Sequence, residues 1–317
     1  MTRPPVPTVF LGSGTFAVPI LEALADHPAV EVVGVVTAPS RPSGRRGAVT
    51  PTPVHARSRE LGIDRVLTPA RLREPAAIAE VASLEPGLLV LADYGRIVPP
   101  ALLDPAHGAL NVHPSLLPRH RGATPVPAAI LAGDTRTGVT LMRMDAGLDT
   151  GPIIDQRELP LAGDETTQAL ERRLAELGAA LLVADLAPWL EGALPARPQD
   201  DTEATLTRPL RREDGRLDPT EPASAIERRV RALQPWPGTF VETDLGRLAI
   251  WSAALDPAAL DPGALGEPGT FDDAGLVVAH GRLRLLEVQP AGGRRMPWPA
   301  YVRGRPSIIG SRVRASG

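Results

Sequence analysis

Residues Thr8–Ala25 read TVFLGSGTFAVPILEALA, and this run decides the fold class. Thr8–Leu11 is a short apolar stretch of strand character. Gly12-Ser13-Gly14 is a turn of small residues, and Val18, Leu21 and Leu24 then recur at helical spacing up to Ala25. A strand that passes through a glycine turn into a helix is the opening step of a doubly wound α/β domain. The following runs continue the alternation. Val30–Val36 reads as a strand, Val54–Leu61 as a helix, Asp64–Thr68 as a short strand, Glu74–Leu84 as a helix and Leu88–Ala92 as a fully apolar strand. Such alternation predicts a parallel sheet covered by helices.

The same glycines match a dinucleotide fingerprint, Gly12-x-Gly14-x-x-Ala17, so an NADP-dependent oxidoreductase is one reading. The second strand argues against it, because Val30–Val36 runs into Thr37-Ala38-Pro39 with no Asp or Glu to hold a ribose hydroxyl. Arg41 leaves a 2′-phosphate open. The competing reading is that the glycines only permit a tight strand-to-helix turn.

Leu110–Gly151 reads LNVHPSLLPRHRGATPVPAAILAGDTRTGVTLMRMDAGLDTG. Ala109–His113 should be a strand, and residues two apart on a strand face one way, roughly 6–7 Å apart. Asn111 and His113 therefore share a face just before Pro114 stops the ladder. Asn111 is also the only asparagine in 317 residues. Thr137–Met144 reads as another strand, left through the glycine-punctuated loop Asp145–Gly151, which can return a carboxylate to the preceding strands. An amide, an imidazole and a carboxylate brought together suit acyl transfer or proton transfer.

The run Asn111-Val112-His113-Pro114-Ser115-Leu116-Leu117-Pro118-Arg119-His120-Arg121-Gly122, followed by Gly138-Val139-Thr140 and Leu148-Asp149-Thr150-Gly151, resembles the 10-formyltetrahydrofolate-dependent formyltransferases. Within them it is similar to those that act on methionyl-tRNA. The resemblance implies a Rossmann-like domain that binds no dinucleotide, with 10-formyltetrahydrofolate as formyl donor. The acceptor would be the amino group of initiator methionyl-tRNA, in support of translation initiation. Asn111 and His113 would stabilise the oxyanion of the tetrahedral intermediate. Asp149 would orient His113 and take the amine proton through a water. Tyr94 and Ile97, from the segment Asp93–Pro99, and Ser115, Leu116, Leu117 and Pro118 would contact the folate, although Tyr94 and Ile97 also read as ordinary core. No covalent intermediate is needed. A metal is not expected, because His113 and Asp149 have no third ligand at suitable spacing.

Two arginine-rich stretches bear on a polyanionic partner. Ser40–Thr52, SRPSGRRGAVTPT, is a Pro- and Gly-rich loop with Arg41, Arg45 and Arg46. It reads either as a solvated surface loop or as a basic grip on tRNA phosphates. Arg41-Pro42-Ser43-Gly44-Arg45 is similar to the family's insertion at this point, without its usual lysines. From Arg294 to Gly317 there are six arginines, at 294, 295, 303, 305, 312 and 314, and no acid. Against a net charge of −3, this tail, led by Arg294 and Arg295, reads as a phosphate-contacting surface.

Gly163-Asp164-Glu165-Thr166 should open a long helix with Leu170, Leu174, Leu177, Leu181 and Leu182 as its apolar stripe and Trp189 at its end. Ala193–Pro209 has the composition of a linker. Pro222–Leu233 reads as a helix. Thr239–Glu242, Arg247–Trp251, Gly275–Ala279 and Leu283–Val288 read as closely spaced strands of a small OB-like β-barrel. The Gln234–Pro237 and Leu286–Gly292 segments are similar to the family's C-terminal domain. The expected organisation is a catalytic domain over 1–192, a linker over 193–209 and a barrel-like tRNA-binding domain over 210–317.

Composition bounds the rest. There is no cysteine, and all 34 basic residues are arginine, which excludes disulfides, thiolate nucleophiles and lysine chemistry. Met1–Pro7 carries no signal-peptide pattern and no apolar run approaches a membrane span, so a soluble, cytoplasmic monomer is expected. Three rival functions stay open. They are formyl transfer to an amino-sugar nucleotide or purine precursor, NADP-dependent oxidoreduction, and catalytically silent RNA binding.

Overall fold

A computed structural model describes residues 4–43, 48–256 and 266–314, with 41–43 and 48–49 described by their backbone alone. The chain divides into two compact units. The first comprises residues 1–125, 136–160 and 169–208, and the second 126–135, 161–168 and 209–317.

The first unit begins with β1 (Val6–Gly12), α1 (Ala17–Ala25), β2 (Val30–Val36), β3 (Arg41–Ser43), β4 (Ala48–Thr50) and α2 (Pro53–Glu60). It continues with β5 (Val66–Leu67), α3 (Pro75–Ala82), β6 (Leu88–Ala92), β7 (Ala109–His113) and β8 (Arg121–Gly122). All but the first residue of α4 (Pro125–Ala132) belongs to the second unit. The first unit resumes with β9 (Arg136–Arg143), β10 (Ile153–Pro160), α5 (Thr167–Leu190) from residue 169 on, and β11 (Leu206–Thr207). Seven strands form one sheet in the order β10-β9-β7-β6-β1-β2-β5. β5, β2, β1, β6 and β7 are parallel, and β9 and β10 are added antiparallel at one edge. The chain winds outward from β1 to β5, then restarts at β6 on the other side of β1. In such sheets ligands sit at the carboxyl ends of the strands near this reversal, and β7 delivers His113 at its carboxyl end.

Gly12 ends β1 where a Cβ would lie 2.9 Å from both the Ala17 Cβ and the Ala92 carbonyl oxygen. Strand, helix and neighbouring strand converge there, so glycine is a packing requirement. One face of the sheet buries Val9, Leu11, Leu89, Leu91 and Ala109 with Val81 of α3. On the other, Val112 lies under α5, where Gly178 lets the helix approach. A Cβ at 178 would come 2.8 Å from Val112 Cγ1. We expect Gly178→Val to destabilise the protein by about 1–3 kcal/mol, since overpacking exceeds the small gain in helix propensity. A lowered midpoint of urea unfolding, with unchanged slope, checks this.

Three local expectations are corrected. The long helix starts at Thr167 and not at Gly163, because Gly163 turns the chain at φ +91° and Glu165 accepts the N–H groups of Ala162 and Gly163. Residues 40–52 are not simple loop, since β3 and β4 pair antiparallel from Arg41↔Thr50 to Ser43↔Ala48. The compositional linker 193–209 contains a 3₁₀ turn, Asp201–Glu203, and β11, which pairs in parallel with β8.

In the second unit α6 (Ala223–Ala232) accompanies β12 (Thr239–Thr243), β13 (Gly246–Leu255), β14 (Gly275–Val278), β15 (Gly281–Pro290), β16 (Met296–Pro297) and α7 (Trp298–Gly304). The strands form an antiparallel half-barrel sheet, β12-β13-β15-β14, with β16 on β15. Alternate residues of β15, among them Leu283 and Leu285, point into a core centred on Trp298, which stacks on Phe271 at 5.8 Å and on Tyr301 at 5.7 Å. Among the described residues no helix is long and apolar enough to cross a membrane.

Candidate active site

Strand alternation puts Asn111 and His113 on one face of β7, both buried. The connection between β9 and β10 folds back over that face and brings in Asp149. Asn111 Nδ2 donates to Asp149 Oδ1 at 3.3 Å, and the Gly122 N–H donates to Asp149 Oδ2 at 2.8 Å. His113 Nδ1 lies 3.8 Å from Asp149 Oδ2. Asp145 shapes the returning loop by accepting from the Gly147 N–H and the Thr150 hydroxyl. Asp149 itself has φ +53°, a left-handed conformation that costs a non-glycine residue roughly 1–2 kcal/mol. The surroundings hold it there.

The structure modifies one expected role. At 3.8 Å Asp149 is beyond hydrogen-bond reach of the ring. Instead His113 Nε2 sits 3.0 Å from the His120 carbonyl oxygen. A carbonyl only accepts, so Nε2 carries the proton and Nδ1 faces Asp149. The backbone of His120 therefore fixes the ring and its tautomer. His120 is a second left-handed residue, at φ +58°.

The segment expected to contact folate divides by exposure. Ser115 is fully buried and its hydroxyl donates to the Arg119 carbonyl at 2.6 Å; Leu117 is buried against Met142 and Ile153. Thr140 secures this stretch by donating to the Ser115 carbonyl at 2.7 Å and accepting the Leu117 N–H at 3.1 Å. The side chains of Ser115 and Leu117 thus shape the loop, while Leu116 and Pro118 are partly exposed. Tyr94 packs into the core and its buried hydroxyl has no hydrogen-bond partner among the described residues; burial raises the ionisation range of that hydroxyl. Ile97 does not read as core: it is 86% exposed, an apolar side chain open to a ligand.

The nucleotide reading of Gly12–Ala17 is overturned. The Asp93 carbonyl accepts the N–H groups of Ser13 and Gly14, and a Cβ at Gly14 would overlap the Asp93 carboxylate. The Asp93 side chain, whose burial raises its pKa to about 7, therefore fills the space over the glycine where a dinucleotide would need to place its diphosphate. The Asp93 carbonyl already takes the N–H groups that would hold it. Among the described residues no His, Asp and Glu cluster is arranged to hold a metal ion.

The arginines are placed as follows. Arg45 and Arg46 lie outside the described residues, and Arg41 is the first residue of β3. Arg294 is exposed. Arg295 pairs with Glu287 and stacks 5.0 Å over Trp251. Arg312 pairs with Glu267 and Arg314 with Asp244. The basic tail is consequently far less positive than its own composition implies. Two cavities, of about 280 and 240 Å³, belong to the second unit, and neither is lined by Asn111, His113 or Asp149.

Sequence reasoning missed Gln199 and Thr205. Gln199 Nε2 donates to the Asp149 carbonyl at 2.9 Å and the Gly151 carbonyl at 2.7 Å; the His120 N–H donates to Thr205 Oγ1 at 2.8 Å. Their only local signal is two polar residues inside a stretch of linker composition.

Comparison with known proteins agrees with this architecture. Residues 7–186 match the formyl transferase family and residues 209–306 the formyl transferase C-terminal domain. A methionyl-tRNA formyltransferase of Roseiflexus sp. (strain RS-1) is 45% identical over 95% of this chain and 93% of its own length. One from Roseiflexus castenholzii is 46% identical over 93% of this chain and 95% of its own. The structure of HypX from Aquifex aeolicus in complex with tetrahydrofolic acid shares the fold, with a TM-score of 0.60 and 17% identity over 94% of this chain and 47% of that one. With both units matched and relatives of this identity aligned almost end to end, the chain belongs to the formyl transferase family.

Proposed function

We propose that this protein transfers the formyl group of 10-formyltetrahydrofolate to the amino group of initiator methionyl-tRNA, in the compartment where translation begins. The observation that carries this reading is the convergence of Asn111, His113 and Asp149 from two separate stretches of chain. Relatives with 45–46% identity, named for this activity, support the acceptor.

An amine attacking a formyl carbon forms the new C–N bond and creates an oxyanion and an ammonium. Once the ammonium has lost a proton the oxyanion collapses, the bond between the formyl carbon and the donor nitrogen breaks, and that nitrogen leaves carrying a proton. Asn111 Nδ2 has two hydrogens; one is held by Asp149, and the other is free to meet the oxyanion. His113 holds its Nε2 proton on the His120 carbonyl, so the neutral ring does not make the oxyanion contact expected of it. Nδ1 is left as the ring atom that exchanges a proton at the reacting centre. Asp149 accepts from Asn111 and Gly122 and keeps lone pairs to take the amine proton through a water. Such a base contributes about 10²–10⁴ in rate, and an oxyanion donor about 10²–10³. No side chain forms a covalent intermediate.

Exposed apolar side chains and a neighbour of the same fold support the folate reading. Ile97 offers an exposed apolar surface, Leu116 and Pro118 flank the catalytic strand, and HypX, which has the same fold, carries tetrahydrofolic acid. When bound, 10-formyltetrahydrofolate supplies the activated formyl group. Arg41, Arg45, Arg46 and Arg294 are the arginines assigned to tRNA phosphates. Arg295 reaches a phosphate only by exchanging its Glu287 partner.

The test presents charged initiator tRNA and an amino-sugar nucleotide separately with radiolabelled 10-formyltetrahydrofolate. Formyl transfer to the tRNA, with kcat/KM at least about 10⁴-fold above that for the sugar, is expected where the acceptor site is built around polar groups of its own substrate. Preference for the sugar overturns the assignment.

A further inference from the structure

Both left-handed residues of the site, His120 and Asp149, are tied to one short stretch that runs from the end of α5 to β11. The Gln199 amide is fully engaged there. Its two Nε2 hydrogens go to the Asp149 and Gly151 carbonyls, at 2.9 and 2.7 Å, and its Oε1 accepts from Arg121 Nε at 2.9 Å. Arg121 is buried, and its Nη2 reaches Asp201 at 2.7 Å. Gly122, the next residue, supplies the N–H that binds the Asp149 carboxylate. Gln199 thus joins, through its side chain, the same two loops that meet again at Asp149 Oδ2. Six residues on, Thr205 accepts the His120 N–H at 2.8 Å and its carbonyl accepts the Arg121 N–H at 2.9 Å. His120 in turn carries the carbonyl that fixes the His113 ring.

We infer that residues 199–207 form a brace for the catalytic groups, with Gln199 the positioning residue for Asp149 and Thr205 the one for the His120–His113 pair. Only a primary amide of this length meets the demand at 199. Glutamate keeps the shape and the acceptor for Arg121 but has no hydrogens for the two carbonyls. Methionine keeps the reach and makes no hydrogen bond, and asparagine falls one methylene short. A left-handed Asp released from such a clamp relaxes, and its carboxylate leaves the 2.8 Å contact with Gly122.

The inference rests on Asp149 acting in formyl transfer, and the experiment separates the two. Gln199→Met and Gln199→Glu are assayed in the full-length protein for kcat and for KM of both substrates, with thermal unfolding measured in parallel. Each substitution is then repeated in the Asp149→Asn background. Loss of positioning predicts a fall in kcat of about 10²-fold, with both KM values nearly unchanged. It also predicts no further fall when Asp149 is already Asn. Wild-type kcat in Gln199→Met, or an equal fall in the Asp149→Asn background, overturns the brace. A fully active Asp149→Asn single variant overturns the catalytic reading itself. A variant too unstable to assay is replaced by Thr205→Val, for which the expectation is the same kcat loss, absent in a His113→Ala background; a loss that persists there overturns the brace.

Discussion

Asp149→Asn is expected to lower kcat for formyl transfer by about 10²–10⁴-fold, the range of a general base, and to leave KM for folate and tRNA close to wild type. The change is nearly isosteric, yet it removes more than a charge. Asp149 accepts two hydrogen bonds, one from Asn111 Nδ2 and one from the Gly122 N–H. A carboxylate does this with either oxygen. An amide has one acceptor, so its NH₂ must face either the Asn111 NH₂ or the Gly122 N–H, donor against donor. The variant therefore loses its base and one strut of the site together. Single-turnover kinetics, which isolate the chemical step, give the measurement. A kcat within a factor of about two of wild type would remove Asp149 from the reaction, a fall too small for base catalysis.

Asn111→Ala is expected to lower kcat by about 10²–10³-fold, the loss seen when one oxyanion donor is removed. Asn111 is buried and gives one amide hydrogen to Asp149; on the proposed mechanism the second meets its charged partner only when the carbonyl becomes an oxyanion. The interaction is thus made in the transition state, and such groups lower kcat and kcat/KM equally. Steady-state assays with folate and tRNA each varied through their KM check this, and a rise in KM at constant kcat would make Asn111 a ground-state binding residue instead.

What could be read from the residues follows the range of the interactions. The α/β half was legible because its signals are local: the apolar run into Gly12, the helical spacing of Leu21 and Leu24, and the two-residue period joining Asn111 to His113. The return of Asp149 was legible only as a possibility, since its φ of +53° is set by the Gln199 and Gly122 contacts and not by its neighbours in sequence. The brace was invisible because Thr205 meets His120 across 85 residues and β11 has two residues. The stretch 193–209 that holds it, with Pro195, Pro198 and Pro209, has the composition of a spacer, and only its partners give it structure. The basic tail misled for a related reason: Arg312 and Arg314 pair with Glu267 and Asp244, 45 and 70 residues away, and Glu287, the partner of Arg295, lies just outside the stretch. Gly14 shows the converse, where a local motif matched and a distant carboxylate, Asp93, changed its meaning.

The most direct measurement is a double-mutant cycle on formyl transfer from 10-formyltetrahydrofolate to charged initiator tRNA, with Asn111→Ala, Asp149→Asn and the two combined. Groups that act as a unit on one reacting carbonyl are strongly non-additive. We predict that the double variant is scarcely slower than the slower of the single variants. Losses that simply multiply, so that each residue contributes independently of the other, would contradict a single shared centre.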